Sequence, residues 1–195
     1  MPRLPLTRIL VLPVVALGLV SHHLHPEGSG LDRSLSLLGL VFLLAAMGGR
    51  IWASAYLAGR KDRVLVTEGP YSVVRNPLYF FSLLGFLGAG LAFESLTLVA
   101  LFGLVFAAGH WPAMLEEERR LEALFGSEYA RYRAQVPQFV PCLRGLRTSE
   151  TLVVDMSRFR VALRECMAIP LIFVTVELVE WAKVGGVLPV LIQIP

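Results

Sequence analysis

Cysteine is almost missing from this chain. Only Cys142 and Cys166 occur in 195 residues, with no CxxC and no Cys/His ligand spacing. A disulfide framework and a structural zinc site are thereby excluded. Charge is scarce as well: 17% of residues are Asp, Glu, Lys or Arg against 55% hydrophobic, and the mean hydropathy is +0.65. An ordinary soluble domain carries about a quarter charged residues, so that class is excluded too. There is no P-loop, no GxSxG elbow and no HExxH. Gly88-Ala89-Gly90 falls inside an apolar run and reads as helix packing, not as a nucleotide fingerprint. Internal repeats and low-complexity tracts are also lacking.

What the chain does have is long apolar runs. Its length allows one domain of about five membrane helices, and the expectation is an all-α integral membrane protein. Spans are expected near 6–24, 34–57, 77–93, 96–115 and 158–183, with charged segments at 59–76 and 116–157. The first run follows Arg3 and Arg8 and ends in Ser21-His22-His23-Leu24-His25-Pro26, with no small-residue cleavage site, so it reads as a retained span. The histidines there suit an interfacial loop better than a metal tract. In this arrangement all of the 18 Lys and Arg except Arg33, Arg50 and Lys183 share one face. The positive-inside rule makes that face cytoplasmic, together with the N-terminus, in a prokaryotic inner membrane or a plasma membrane. Topology thus explains the +3 balance, and no nucleic-acid partner is needed. Pro170 is expected to kink the fifth span. The tail 184–195 is too short to span alone.

Two motif stretches flank the hairpin of the third and fourth spans. The first is Gly69-Pro70-Tyr71 and Arg75-Asn76-Pro77-Leu78-Tyr79. The second is Glu117-Glu118, then Leu121, Phe125-Gly126, Tyr129, Tyr132 and Val136-Pro137. Asn76-Pro77 reads as a helix start, with Asn as N-cap and Pro at the first helical position. Arg75 lies just before it, where the helix dipole already favours an anion.

The residues from Leu121 to Val136 step by three or four and form one stripe. At 100° per residue Glu117 lies about 40° and Glu118 about 60° from Leu121, on opposite sides, whereas Glu116 points about 140° away. Each feature has a plainer reading: a topogenic arginine, interfacial tyrosines, a solvated acidic helix paired with Arg119 and Arg120. Arg50 lies within a span, where a charge needs a partner such as Glu165 or Glu117. His110, in the fourth span, fits a core position or a site equally well. Together the two stretches outline a site for a zwitterion, with a cationic helix start facing carboxylates.

Their order and spacing, from about Arg50 to Pro141, resemble the isoprenylcysteine carboxyl methyltransferases and the related phospholipid methyltransferases. The resemblance implies an all-helical membrane enzyme that binds S-adenosylmethionine at the cytoplasmic face, where a cytoplasmic helix and loop form the pocket. Small-molecule or lipid substrates would enter between helices. It implies that Tyr71, Arg75, Asn76, Pro77 and Tyr79 line one wall of the cofactor pocket. Glu117 and Glu118 would hold the cationic end, with Tyr129 nearby. Asn76 stands where eukaryotic members carry His, and 111–115 lacks the arginine those enzymes use on the substrate carboxylate. Arg50, Arg164 and Glu165 are the candidates to replace it in catalysis. Two other readings fit less of the pattern. One is an NADPH-dependent reductase similar to sterol reductases around Arg-x-Pro-x-Tyr; the other is a non-catalytic scaffold.

Overall fold

A computed structural model describes residues 4–23 and 29–195. Apart from one short strand pair, the regular elements among the described residues are all helices. Six helices have twelve residues or more: α1 (Leu4–Val20), α2 (Gly30–Leu57), α4 (Pro77–Ala92), α5 (Leu96–Gln135), α6 (Met156–Met167) and α7 (Ile169–Val184). A single turn, α3 (Pro70–Val73), precedes α4. Helices α2 and α5 are each long and apolar enough to cross a membrane, and α4 is a shorter apolar helix.

Local chemistry explains most boundaries. Ser29 caps α2 by accepting from the Asp32 amide, and Ser95 caps α5 by accepting from the Leu98 amide. Pro77 opens α4 and Pro170 lies in the first turn of α7, positions where a missing N–H costs nothing. The expected fifth helix is therefore two. Its first part, α6, is capped by Asp155 and is mostly exposed; a break at Ala168 alone separates it from α7, which carries Pro170 in its first turn. The expected fourth span and the charged helix after it are instead one element, α5, which runs straight through Pro112 and kinks at Gly126.

The first helix stops at Val20, short of the expected 24, because Ser21–His23 (β1) pairs in parallel with Ile192–Ile194 (β2). The apolar tail is thus tied back to the start of the chain. The Pro195 carbonyl accepts from the Thr97 amide and the Ser95 hydroxyl. Residues 24–28, which take in the last residue of the expected first span and the start of the turn after it, lie outside those described.

Helix α2 packs most extensively on α4. At their crossing a Cβ on Gly39 would lie 2.7 Å from the Ala92 amide, and one on Gly88 3.0 Å from the Gly39 carbonyl. The small face of α4 therefore serves α2 as well as the hairpin partner expected from sequence. Close backbone approach of this kind supplies packing where lipid offers no hydrophobic drive. An apolar core joins Val14 of α1, Ala89, Ala92 and Phe93 at the end of α4, Leu98, Phe102 and Val105 of α5, and Val176 of α7.

Candidate functional site

The charged end of α5 folds back over the α3–α4 segment and builds a cavity there. The stripe read from sequence becomes a cluster: Tyr129, Tyr132 and Val136 close on Leu65, with Leu121 and Phe125 against them. The returning chain then staples α3. The Gly69 amide donates to the Arg147 carbonyl at 2.7 Å, the Arg147 amide to Ser72 Oγ at 2.9 Å, and the Cys142 amide to the Val73 carbonyl at 2.9 Å. Tyr132 Oη donates to the Tyr71 carbonyl at 2.7 Å. Gly69 takes φ 58°, and a Cβ there would run into the Tyr56 ring, so the Gly69-Pro70-Tyr71 motif is first a backbone requirement.

Inside this frame Arg75 is 9% exposed and Glu118 13%, with Nε and Oε1 3.5 Å apart. Asn76 Nδ2 donates to Glu118 Oε1 at 2.7 Å and to the Gln138 carbonyl at 3.1 Å. Gln138 Nε2 donates to Glu118 Oε2 at 3.0 Å. Asn76 thus occupies the N-cap position of α4 without a capping bond from its side chain; the amide is spent on Glu118. Glu118, in turn, is consumed by Arg75, Asn76 and Gln138. Glu117 differs: 28% exposed, 3.5 Å from Lys61 Nζ, it lines a cavity of about 250 Å³. Arg75, Tyr71, Asn76, Pro77, Tyr79, Ser82, Arg50 and His110 line the same cavity. Glu116 is exposed, as the helix geometry requires.

Four residues lining this cavity hold buried polar atoms without a hydrogen-bond partner: Arg75 at Nε and Nη1, Tyr71 at Oη, Asp62 at Oδ1 and His110 at Nδ1. Burial, and then the Glu117 carboxylate, pushes the Tyr71 phenol above its ordinary range, so it is a neutral donor. Burial and then the Glu118 charge raise Tyr129 to about 12. Tyr129 packs edge-on to Tyr132 and is not among the residues lining this cavity, so it supports the wall from behind.

A second, larger cavity of about 740 Å³ lies between α1, α4, α5 and α7, with mostly apolar walls that include Val15, Phe86 and Val176. It shares Arg50, Ser82 and His110 with the first. Arg50 Nη1 donates to Ser82 Oγ at 2.5 Å; the partner is a hydroxyl, where sequence had suggested a glutamate. Glu165 lines the second cavity, while Arg164 is exposed and lines neither. Arg164 sits on the exposed side of the short helix α6. Ser82 is not singled out by the sequence reading, which leaves His110 open between a core position and the site; the structure places both on the cavity wall. The signal for Ser82 is spacing: it lies one helical turn beyond Leu78, in register with the motif face. Among the described residues no group of three or more His, Cys, Asp or Glu is placed to hold a metal ion.

A helical hairpin carrying an arginine before one helix and a glutamate pair on the other defines a class, and comparison with known proteins agrees. Residues 35–128 match the phospholipid methyltransferase family. The chain belongs to the family of membrane methyltransferases that includes the phospholipid and isoprenylcysteine carboxyl methyltransferases. Among individual proteins, it is 32% identical over 186 residues to the nickel-cobalt-cadmium resistance protein NccN of Alcaligenes xylosoxydans xylosoxydans, covering 95% of this chain and 87% of that one. It is 38% identical over 158 residues to the cobalt-zinc-cadmium resistance protein CzcN of Cupriavidus metallidurans, covering 81% and 72%. A shorter match, 34% over 83 residues, is to protein-S-isoprenylcysteine O-methyltransferase of Schizosaccharomyces pombe, covering 43% and 35%. No solved structure matches significantly.

Proposed function

We propose that this protein transfers a methyl group from S-adenosylmethionine to a small hydrophobic or lipid-like acceptor at the cytoplasmic membrane face. The observation that carries this reading is the buried Arg75 guanidinium, with N–H groups left unbonded, lining one cavity with the Glu117 carboxylate. An unpaired buried donor is costly to retain unless a ligand completes it. Arg75 and the Tyr71 hydroxyl suit the carboxylate end of an amino-acid-like ligand. Glu117 suits its ammonium or sulfonium end. Asn76, Pro77 and Tyr79 complete the wall, and Glu118 positions Arg75 and Asn76 without facing the ligand. At about 250 Å³ the cavity lies just below the size of typical small-molecule sites, roughly 300–1,000 Å³, so the rest of the ligand extends toward the larger neighbour.

Bound there, the cofactor supplies an electrophilic methyl group. The chain's own part is to fix both reactants in line and keep water out. The positive-inside pattern supports a reading with Lys61, Arg75 and the α5 extension on the cytoplasmic side and α1, α2, α4, α5 and α7 as the spans. The metal resistance for which NccN and CzcN are named extends the reading to growth under nickel, cobalt, zinc or cadmium, which deletion and complementation on graded metal would examine. The direct test is calorimetry on purified protein with S-adenosylmethionine and S-adenosylhomocysteine. Folded protein that binds neither would refute the reading. Labelled methyl donor added to host membrane extract would then identify the acceptor.

A further inference from the structure

Resting on that reading, we propose that His110 is the proton acceptor of the reaction, and that the methyl acceptor is an apolar molecule bearing one acidic O–H or S–H, a phenol or a thiol. The two cavities meet at three residues, Arg50 of α2, Ser82 of α4 and His110 of α5. One side of this junction holds the Arg75 and Glu117 pair. The other is a cavity of about 740 Å³ walled by Val11, Val15, Phe86, Ile172 and Val176, which fits a hydrocarbon body. A molecule with its body there places its polar head at the junction.

The junction itself selects the head. The His110 ring is fixed by stacking on Phe106, at 4.8 Å between centroids and 9° between planes, with the edge of Phe86 at 5.2 Å. Nδ1 is buried and short of hydrogen-bond geometry with any partner, the Phe106 carbonyl included. A neutral imidazole so held offers a lone pair to a proton donor. Arg50, anchored through Ser82, keeps further N–H donors and a fixed positive charge beside that point. A positive charge stabilises an oxyanion or thiolate as it forms and opposes an ammonium; it opposes an imidazolium as well, so His110 holds the proton only while the anion beside it is consumed. A carboxylate has no proton to give and leaves the imidazole idle. The other charged groups facing the cavities are Lys61, Asp62, Arg75 and Glu117 in the first and Glu165 in the second. The tyrosines facing the first are Tyr71, Tyr79 and Tyr132.

In the step, His110 takes the proton as the acceptor's O–H or S–H bond breaks. The electron pair left on oxygen or sulfur forms the new bond to the methyl carbon. The pair of the broken sulfonium bond stays on the donor sulfur, which becomes a neutral thioether. His110 then returns its proton to water through the polar cavity.

The experiment uses the full chain in lipid nanodiscs with labelled S-adenosylmethionine and four probes: dodecanethiol, 4-nonylphenol, dodecanoate and dodecylamine. The expected result is transfer to the thiol or the phenol, reduced about 100-fold or more in His110→Gln at saturating methyl donor, with S-adenosylhomocysteine still bound. In the wild type the rate with nonylphenol levels off well below the phenol's own pKa of about 10, and in His110→Gln it keeps rising toward it. Without any methyl donor, the phenolate absorbance of bound nonylphenol appears about 1 pH unit or more lower in the wild type than in Arg50→Gln. The wild-type measurements stand even where a variant fails to fold. Transfer to dodecanoate or dodecylamine alone overturns the proposal, as does transfer to none of the four by protein that binds the cofactor. An unchanged rate and pH profile in folded His110→Gln does so too. Failure of the wild type to bind S-adenosylmethionine or S-adenosylhomocysteine refutes the methyltransferase reading instead.

Discussion

Glu117 and Glu118 are neighbours in sequence with separable duties, and substituting each by Gln should separate stability from ligand affinity. Glu118 is the counterion of an arginine only 9% exposed, and its two oxygens accept from Asn76 and Gln138. Removing its charge leaves a buried guanidinium uncompensated. Breaking a buried pair costs about 3–5 kcal/mol, but Gln keeps the acceptor for Asn76, so about 2–3 kcal/mol is expected. For a chain of this size that corresponds to roughly 4–12 °C in Tm. Glu117 is 28% exposed and its partner Lys61 49%, so its loss should cost about 0–1 kcal/mol of stability. Its effect belongs to the ligand: losing a charge-assisted contact of about 1.5–3 kcal/mol weakens S-adenosylhomocysteine binding on the order of ten- to a hundredfold. Thermal unfolding in detergent and calorimetry on the same samples give both quantities. Equal destabilisation by the two variants, or unaltered affinity in Glu117→Gln, would refute the assignment.

Three further outcomes are expected. Gly69→Ala should lower Tm and abolish cofactor binding together, because its positive φ and the Tyr56 ring both exclude a Cβ; melting and calorimetry check it. Glu180→Gln should leave affinity untouched but cost about 1.5–3 kcal/mol in denaturation, since it removes the ionic partner, 2.7 Å away, of a Lys183 ammonium that is 0% exposed. Glu94, in the turn between α4 and α5, is raised to about 9 by burial first and then by the hydrogen bond with Asp32. A carboxyl whose folded pKa exceeds the unfolded one binds more protons when folded, so stability should fall as pH rises from about 4.5 to about 9, and Glu94→Gln should flatten that slope in pH-dependent melting.

Much of the site was legible because it depends on periodicity. The helical step from Leu121 to Val136 survives as one cluster, and the orientation that turns Glu116 outward follows from 100° per residue alone. What periodicity cannot report is which distant segment covers a face. Residues 137–147 return to bond α3, and 192–194 pair with 21–23, through backbone groups that every sequence possesses. Nor does a local pattern tell a kink from a break. Pro112 lies inside α5, where the helix continues, while Pro170 sits in the first turn of α7 just after the one-residue break at Ala168.

Asn76 shows the same limit at one residue. Asn before Pro predicts a helix cap, and the backbone does begin a helix at Pro77, yet the side-chain amide bonds Glu118 and the Gln138 carbonyl. A competing partner won because Glu118 is ionised and nearly buried, and a charge-assisted bond there outweighs a cap of about 1 kcal/mol. The two roles make opposite demands on substitution. As a cap, Asp is equivalent to Asn and gains from the helix dipole. As a donor to Glu118, Asp loses both N–H groups and sets a second carboxylate where the oxygen now lies 2.7 Å away. Asn76→Asp should therefore lower Tm more than Asn76→Ala at pH 8, with the gap narrowing at pH 5 as the new carboxyl pair retains a proton. A more stable Asn76→Asp protein at pH 8 would restore the cap and remove Asn76 from the site.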